Sequence, residues 1–306
     1  MPLLLALTFA FHYQAPLTPA QLRWFSKFDV LVTHDPLPRA QVDALHEAGT
    51  KLFVYEWTVA FYDTLATPWQ RSLIQTNALL NDTPLRGGAG SETADAWYFD
   101  PVHTRDRAKH LAAKLRAAGY DGVFLDTISS AFVHPTALSE FERRHPGIDY
   151  DAANGKLLAA LKRERVLIFT NQGYRSATNY LPHADWDLTE SLIGKRPWNE
   201  VRVHFDELPR KQYPRVRFAH MEYDDVQRTV AISKLFGEPG FVPGVESPLY
   251  FAKLGAPLGR RVDGDDTSYR RFANGIVAVN GSREPLRIPR TKLVVPPGES
   301  LVWVKK

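Results

Sequence analysis

Short apolar runs alternate with helical patterns along most of the chain, and this alternation restricts the fold more than any other feature. The runs are apolar on both faces, as is typical of parallel strands covered by helices. We predict eight strands, at Leu3–Phe11, Val30–Thr33, Lys51–Trp57, Ala96–Phe99, Gly122–Asp126, Val166–Thr170, Trp186–Leu188 and Val216–His220. Eight strands in about 240 residues favour an α/β fold of the (β/α)8 or TIM barrel type over an open doubly wound sheet.

Four of the intervening segments carry clear helix signals. Thr18 followed by Pro19 is a typical helix start, and Gly119 and Gly237 each follow a helical pattern where a left-handed C-terminal cap is expected. We predict helices at Thr18–Phe28, Arg39–Ala48, Thr104–Ala118 and Val226–Phe236. The glycine-rich segment Arg86–Gly90 has no following Lys-Ser/Thr and is therefore predicted to be a linker or a lid, not a phosphate loop.

The pattern changes after about Gly240, where short β-type runs are separated by turn residues. The predicted strands are Arg271–Val279, Leu286–Ile288, Lys292–Val295 and Ser300–Val304. A segment of this size has too little core to fold alone, so we expect it to pack on the barrel. We therefore divide the chain into a barrel at 1–245 and a small antiparallel β-module at 246–306.

Composition excludes several classes of function. The 306 residues contain 38 Lys and Arg against 34 Asp and Glu, and the net charge of +4 is not clustered as nucleic-acid binding requires. There is no cysteine, so disulfides and thiolate chemistry are absent. No run reaches the roughly 18 apolar residues of a membrane span. Leu3–Phe11 lacks the flanks of a signal peptide, but a signal removed earlier would place the protein outside the cytoplasm, so the compartment stays open.

A (β/α)8 barrel has its active site at the carboxyl ends of its strands. The polar and aromatic residues at those ends include a set of candidate substrate-binding residues, His12, Tyr55, Glu56, Trp57, Asp100, Asn171, Gln172, Glu222 and Tyr223, and two further carboxylates, Asp126 and Glu190. No metal-ligand spacing occurs among them, which argues against a metal site. Paired carboxylates with aromatic faces suit glycoside cleavage, in which one acid protonates the leaving oxygen and the other attacks or activates water.

Structural roles fit the same residues. Asp126 is compatible with capping the next helix, Glu190 with an ion pair to an arginine, and Tyr55 and Trp57 with core packing. The sequence alone leaves these alternatives open.

Three stretches resemble glycoside hydrolase family 114, the endo-α-1,4-polygalactosaminidase-like proteins. Ala118–Ile128 (AGYDGVFLDTI) is similar to the strand with the family's essential Asp, and Trp97–Pro101 and Leu167–Gly173, followed by the acidic strand with Glu190, also fit. The resemblance implies a nucleophile role for Asp126, an acid/base role for Glu190, an α-linked poly- or oligosaccharide substrate and no cofactor. Tyr55-Glu56-Trp57 departs from the family pattern, so the sugar is left open.

Two other functions are compatible with the residues. One is a catalytically inactive barrel that binds carbohydrate through the same aromatic side chains. The other is a barrel lyase or isomerase that uses a single carboxylate as base. Because one fold hosts many activities, the fold does not choose among them, and the oligomeric state also stays open.

Overall fold

The structure, a computed structural model, describes residues 7–74, 76–87, 93–192 and 196–305. It confirms the (β/α)8 barrel with a small C-terminal antiparallel β-module. The parallel barrel strands are β1 (Phe9–His12), β2 (Val30–Thr33), β3 (Lys51–Trp57), β4 (Gly122–Asp126), β5 (Leu167–Asn171), β6 (Trp186–Glu190), β7 (Arg217–Met221) and β8 (Gly240–Phe241).

Each barrel strand pairs in parallel with the next, and β8 lies against β1. The predicted fourth strand is wrong, because β3 pairs directly with Gly122–Asp126. The predicted eighth strand, Val216–His220, corresponds to β7, and the true eighth strand was missed. Gly240–Phe241 has two residues, too few for any period in the sequence.

The segment between β3 and β4 forms a separate three-stranded antiparallel sheet. Its strands are Ala60–Tyr62, Leu85–Arg86 and Asp95–Tyr98, with Asp95–Tyr98 in the middle. Ala96–Phe99 was therefore correctly predicted as β-type, but its hydrogen bonds are used in this inserted sheet. The sheet contributes to apolar clusters distinct from the barrel core. Gly88–Gly90 of the predicted linker or lid lies outside the described residues.

Nine helices occur in the part of the chain that the structure describes. They are α1 (Pro19–Phe25), α2 (Arg39–Glu47), α3 (Pro68–Leu73), α4 (Thr104–Ala118), α5 (Pro135–Arg144), α6 (Tyr150–Arg163), α7 (Ala177–Tyr180), α8 (Trp198–Glu207) and α9 (Val226–Phe236). Thr18 caps α1 in a capping box, and Gly119 and Gly237 end α4 and α9 at φ 77° and 79°, as predicted. None of the described helices is long and apolar enough to cross a bilayer.

Aromatic side chains fill the barrel interior. Phe169 lies with its ring centre 5.1 Å from that of Phe124, 5.9 Å from Phe53 and 6.0 Å from Phe9. All four are almost fully buried. Packing edges against faces in this way joins β1, β3, β4 and β5, so the lower part of the barrel is a solid core on which the strand ends rest.

The C-terminal module is a four-stranded antiparallel sheet with a covering hairpin. The sheet strands are Val262–Asp263, Thr267–Phe272, Gly275–Asn280 and Ser300–Val304, and the hairpin strands are Leu286–Arg287 and Val294–Val295. The predicted strand Arg271–Val279 is in fact the middle of a hairpin that turns at Ala273 and Asn274. The sheet packs on α9, and the indole nitrogen of Trp198 in α8 donates to Ser268 Oγ at 3.0 Å. The division at residue 245 stays a prediction.

We expect Gly122→Ala to lower the free energy of unfolding by about 1–3 kcal/mol, the usual cost of overpacking a core. A Cβ at Gly122 would lie 2.5 Å from the carbonyl oxygen of Leu167 and 2.6 Å from a ring carbon of Phe53. Chemical denaturation measures the change. Gly259→Ala, at an exposed site where a Cβ meets nothing within 4 Å, is the matched control. Equal stability of both variants would contradict this packing.

Candidate active site

Three neighbouring strands end in polar residues that lie together at the mouth of the barrel. Asp126, Asn171 and Glu190 are the last residues of β4, β5 and β6. The Asn171 side-chain nitrogen donates to Asp126 Oδ1 at 2.7 Å and to Glu190 Oε2 at 2.5 Å. One amide group therefore joins two carboxylates that are far apart in the sequence.

The shared donor limits the separation of the two acids. Their nearest oxygens are at most about 5.2 Å apart, because the two bonds to Asn171 connect them. Retaining glycosidases hold their carboxyl groups about 5–5.5 Å apart, whereas inverting enzymes leave about 6.5–9.5 Å for a water molecule. The upper limit of about 5.2 Å between the nearest oxygens is compatible with the closer, retaining arrangement.

The backbone turns sharply after each of these three residues. Thr127, Gln172 and Ser191 have φ values of 48°, 57° and 52°, in the left-handed region that non-glycine residues seldom adopt. The turn at Thr127 directs its amide N–H back to Asp126 Oδ1 at 2.8 Å. Backbone conformations of this kind concentrate at functional sites, where the surrounding structure holds them in place.

Asp126 is surrounded by hydrogen-bond donors. Oδ1 accepts from Asn171 and from the Thr127 amide, and Oδ2 accepts from the Tyr55 hydroxyl. Burial, together with the charge and hydrogen bond of Asp126, raises the pKa of Tyr55, so its phenol stays protonated and remains a donor. The three donors fix the orientation of the Asp126 carboxyl group at the mouth.

Glu190 has different surroundings. Burial raises the pKa of its carboxyl, and the charges of Asp126 and Glu222 act in the same direction. Hydrogen bonds from Tyr223 and Asn171 oppose this change in the pKa. Glu190 therefore holds a proton to higher pH than an ordinary glutamate, as a general acid requires.

Aromatic side chains form one side of the mouth. Tyr55 stacks on His34 with ring centres 4.8 Å apart, and Trp57 lies 5.6 Å from Tyr55 and 4.5 Å from Tyr62. Trp57 and Tyr62 are partly exposed, so their rings are available for contacts with a ligand. Tyr55 and Trp57, both predicted from the sequence, thus lie beside Asp126.

Three predicted substrate-binding residues lie elsewhere. Glu56 is buried on the outer side of β3 against Lys114 of α4, at 3.3 Å, because it alternates with the inward-facing Tyr55 and Trp57. Asp100 is buried in a contact with His145, at 2.8 Å. His12 packs on Phe25 of α1, with ring centres 5.1 Å apart. The structure does not bring these three side chains to the two carboxylates, and their role in substrate binding stays a prediction.

The remaining predicted residues lie at the periphery of the carboxylate pair. Gln172 accepts a hydrogen bond from Arg175 with its side-chain oxygen. Glu222 is buried behind Glu190, where Oε1 pairs with His220 and accepts from the Leu192 amide. Tyr223 donates to Glu190 Oε1.

Two neighbours of the site were missing from the predicted set. The Tyr13 hydroxyl lies 3.0 Å from that of Tyr223, and His34 stacks on Tyr55. Both follow directly after a barrel strand, which is the sequence signal that identifies them. Within the described ranges, no group of three His, Asp or Glu side chains is arranged to hold a metal ion.

We expect Asn171→Asp to raise the pKa of Glu190, because a donor is replaced by a third negative charge at the same position. Carboxyl-carbon NMR of protein labelled at glutamate measures this pKa without any substrate. Asn274→Asp, which adds the same charge at an exposed site in the C-terminal module, is the control and should leave the titration of Glu190 unchanged. An unchanged pKa in Asn171→Asp would show that Asn171 does not face Glu190.

Comparison with known proteins shows the fold. No family profile and no curated protein matches the sequence. Among solved structures, the chain is similar to the glycoside hydrolase domain of PelA from Pseudomonas aeruginosa, with 22% identity over 79% of this chain and 95% of that domain and a TM-score of 0.55.

Two other similar structures have lower identity. Aspergillus fumigatus Ega3, in complex with galactosamine, shares 12% identity over 71% of this chain and 77% of that chain, with a TM-score of 0.50. The α-N-acetylgalactosaminidase NagBb from Bifidobacterium bifidum shares 12% identity over 90% of this chain and 56% of that chain, with a TM-score of 0.51. At these low identities, the similarities show only that the chain shares the barrel fold.

Proposed function

We propose that this protein is a retaining glycoside hydrolase that cleaves an α-linked poly- or oligosaccharide. The observation that carries the proposal is the bridge from Asn171 to Asp126 and Glu190, which brings two carboxylates together at the mouth, with their nearest oxygens at most about 5.2 Å apart. Two of the similar structures support the proposal, because one is the glycoside hydrolase domain of PelA and the other is an α-N-acetylgalactosaminidase.

In the first step, Asp126 attacks the anomeric carbon while Glu190 gives its proton to the departing glycosidic oxygen. The sugar is then bound covalently to Asp126 through an ester. In the second step, Glu190 takes a proton from water as the water attacks the same carbon and releases Asp126. The donors around Asp126 and the raised pKa of Glu190 match these two roles.

The substrate class follows from the chemistry of the mouth. Trp57 and Tyr62 offer partly exposed rings for the apolar faces of a sugar, and the two carboxylates accept from hydroxyl or ammonium groups. Two similar structures support an amino sugar, because Ega3 holds galactosamine and NagBb is named for an N-acetylgalactosaminide. We therefore place an α-linked galactosamine-containing glycan first among the candidate substrates.

We expect Asp126→Asn and Glu190→Gln each to reduce hydrolysis by at least 1,000-fold, because each removes a group that forms or breaks a bond, and losses from such groups reach about 10⁴–10⁶-fold in other hydrolases. Purified enzyme is incubated with α-1,4-galactosamine oligomers and with neutral α-glucans, and new reducing ends are measured. Glu56→Gln is the matched control, since this strand-end carboxylate faces away from the mouth. Wild-type rates in either catalytic variant, with an unchanged melting temperature, would remove that residue from the mechanism.

The retaining assignment has its own test. Proton NMR of the earliest product should show the α-anomer before mutarotation mixes the forms, and mass spectrometry should detect a glycosyl ester on Asp126 with a slow activated substrate. Initial release of the β-anomer would contradict the retaining geometry. If the protein binds the galactosamine oligomers or the α-glucans but releases no new reducing ends, the result would favour a carbohydrate-binding protein over a hydrolase.

A further inference from the structure

A chain of two tyrosines leads from Glu190 to the protein surface. Tyr223 follows β7, and its hydroxyl group donates a hydrogen bond to Glu190 Oε1. The Tyr13 hydroxyl, just after β1, lies 3.0 Å from the Tyr223 hydroxyl. Tyr13 and Tyr223 are 43% and 53% exposed, so the outer end of this chain reaches solvent.

The direction of the hydrogen bonds follows from the valence of the hydroxyl groups. Tyr223 has one proton, and while Glu190 is ionised that proton is used in the bond to Glu190. Tyr13 must then be the donor to the Tyr223 oxygen. If Glu190 gains a proton, it can donate to Tyr223, which then donates to Tyr13, and Tyr13 donates to water.

We propose that Tyr13 is a positioning residue which acts through Tyr223 on the protonation of Glu190. The two hydroxyls form a chain that accommodates both the acid and the carboxylate by reversing its direction. This inference rests on the proposed function, in which Glu190 gives and then recovers a proton. The Tyr13 hydroxyl pairs with Tyr223, and Tyr223 pairs with Glu190, so the effect of Tyr13 on Glu190 passes through Tyr223.

Other groups also face Glu190 and set the background for this effect. Asp126 on β4 and Glu222 after β7 raise the pKa of Glu190 through their negative charges, while Asn171 on β5 lowers it by hydrogen bonding. The phenols themselves stay protonated, because the partial burial of their rings raises the pKa values of Tyr13 and Tyr223. The tyrosine chain is therefore a neutral hydrogen-bond donor that lowers the pKa of Glu190, whereas burial and the neighbouring negative charges raise it.

This opposition has a catalytic consequence. A general acid must hold its proton at the working pH, yet lose it readily to the leaving group. Burial alone would disfavour ionisation of Glu190. The hydrogen bond from Tyr223 stabilises the carboxylate that forms when the proton leaves. Donation from Tyr13 polarises the Tyr223 hydroxyl and makes it a stronger donor, since hydrogen bonds in a chain reinforce one another.

We test the proposal with a double-mutant cycle on the pKa of Glu190, measured by carboxyl-carbon NMR without substrate and assigned with Glu190→Gln. Tyr223→Phe should raise this pKa by about one unit or more, because a bond to the charged form is lost. Tyr13→Phe should raise it by a few tenths of a unit, since each bond in a chain strengthens its neighbour by about 10–30%. Tyr269→Phe, in the C-terminal module, is the control.

The decisive result is the double variant. If Tyr13 acts through Tyr223, Tyr13→Phe changes nothing further in the Tyr223→Phe background. An equal effect of Tyr13→Phe in both backgrounds, or no effect in the wild type, would overturn the proposal. Tyr13 is partly exposed, and thermal melting confirms that each variant is folded.

The NMR cycle separates this inference from the hydrolase assignment. Coupling between Tyr13 and Tyr223 in a protein that cleaves no glycan would support the chain and count against the proposed function. Glycan cleavage by a protein without coupling between Tyr13 and Tyr223 would support the proposed function and overturn the tyrosine chain. In active protein, the alkaline limb of the pH–rate profile should move to higher pH in Tyr13→Phe, because Glu190 then keeps its proton longer.

Discussion

The site depends on one amide group placed between two acids. Asp126 and Glu190 are close enough to repel each other, and Asn171 offsets this repulsion by donating a hydrogen bond to each. The arrangement requires that three adjacent parallel strands end at matching heights, which the barrel provides. The packed phenylalanines beneath these strand ends keep the strands from shifting relative to one another.

The two acids differ because their neighbours differ. Three donors face Asp126, whereas Glu190 lies among buried and negatively charged groups with Tyr223 as a compensating donor. Different surroundings of this kind allow two carboxyl groups to act as acid and as nucleophile in one reaction. The left-handed backbone of the residues after β4, β5 and β6 turns the chain immediately behind each of these side chains.

Much of the barrel follows from the sequence, and its errors have physical causes. Apolar runs predicted seven of the eight barrel strands, but Ala96–Phe99 carries the same β-type signal in an inserted antiparallel sheet. The count of eight was reached only because that error replaced the missed two-residue strand β8. Local pattern shows that a segment is extended, while its partners are decided by tertiary contacts.

The sequence predicted part of the site. The residues that lie apart from it again depend on how each strand is placed and on which way its side chains point. Asp126, Asn171 and Glu190 end their strands with side chains that meet at the mouth, and family resemblance had identified both acids. Glu56 lies apart from the pair, because the two-residue period of a strand makes it face away from Tyr55 and Trp57. Asp100 lies apart from the pair because the strand before it does not belong to the barrel.

The inserted sheet between β3 and β4 separates two tasks within the molecule. It has apolar clusters of its own and places Tyr62 against Trp57, while the strands that carry the acids rest on the barrel core. Substitutions in this insert can therefore change the wall beside the mouth without disturbing the core on which Asp126, Asn171 and Glu190 rest. If the proposed function holds, such changes would alter which sugar fits while the carboxylate pair stays constant.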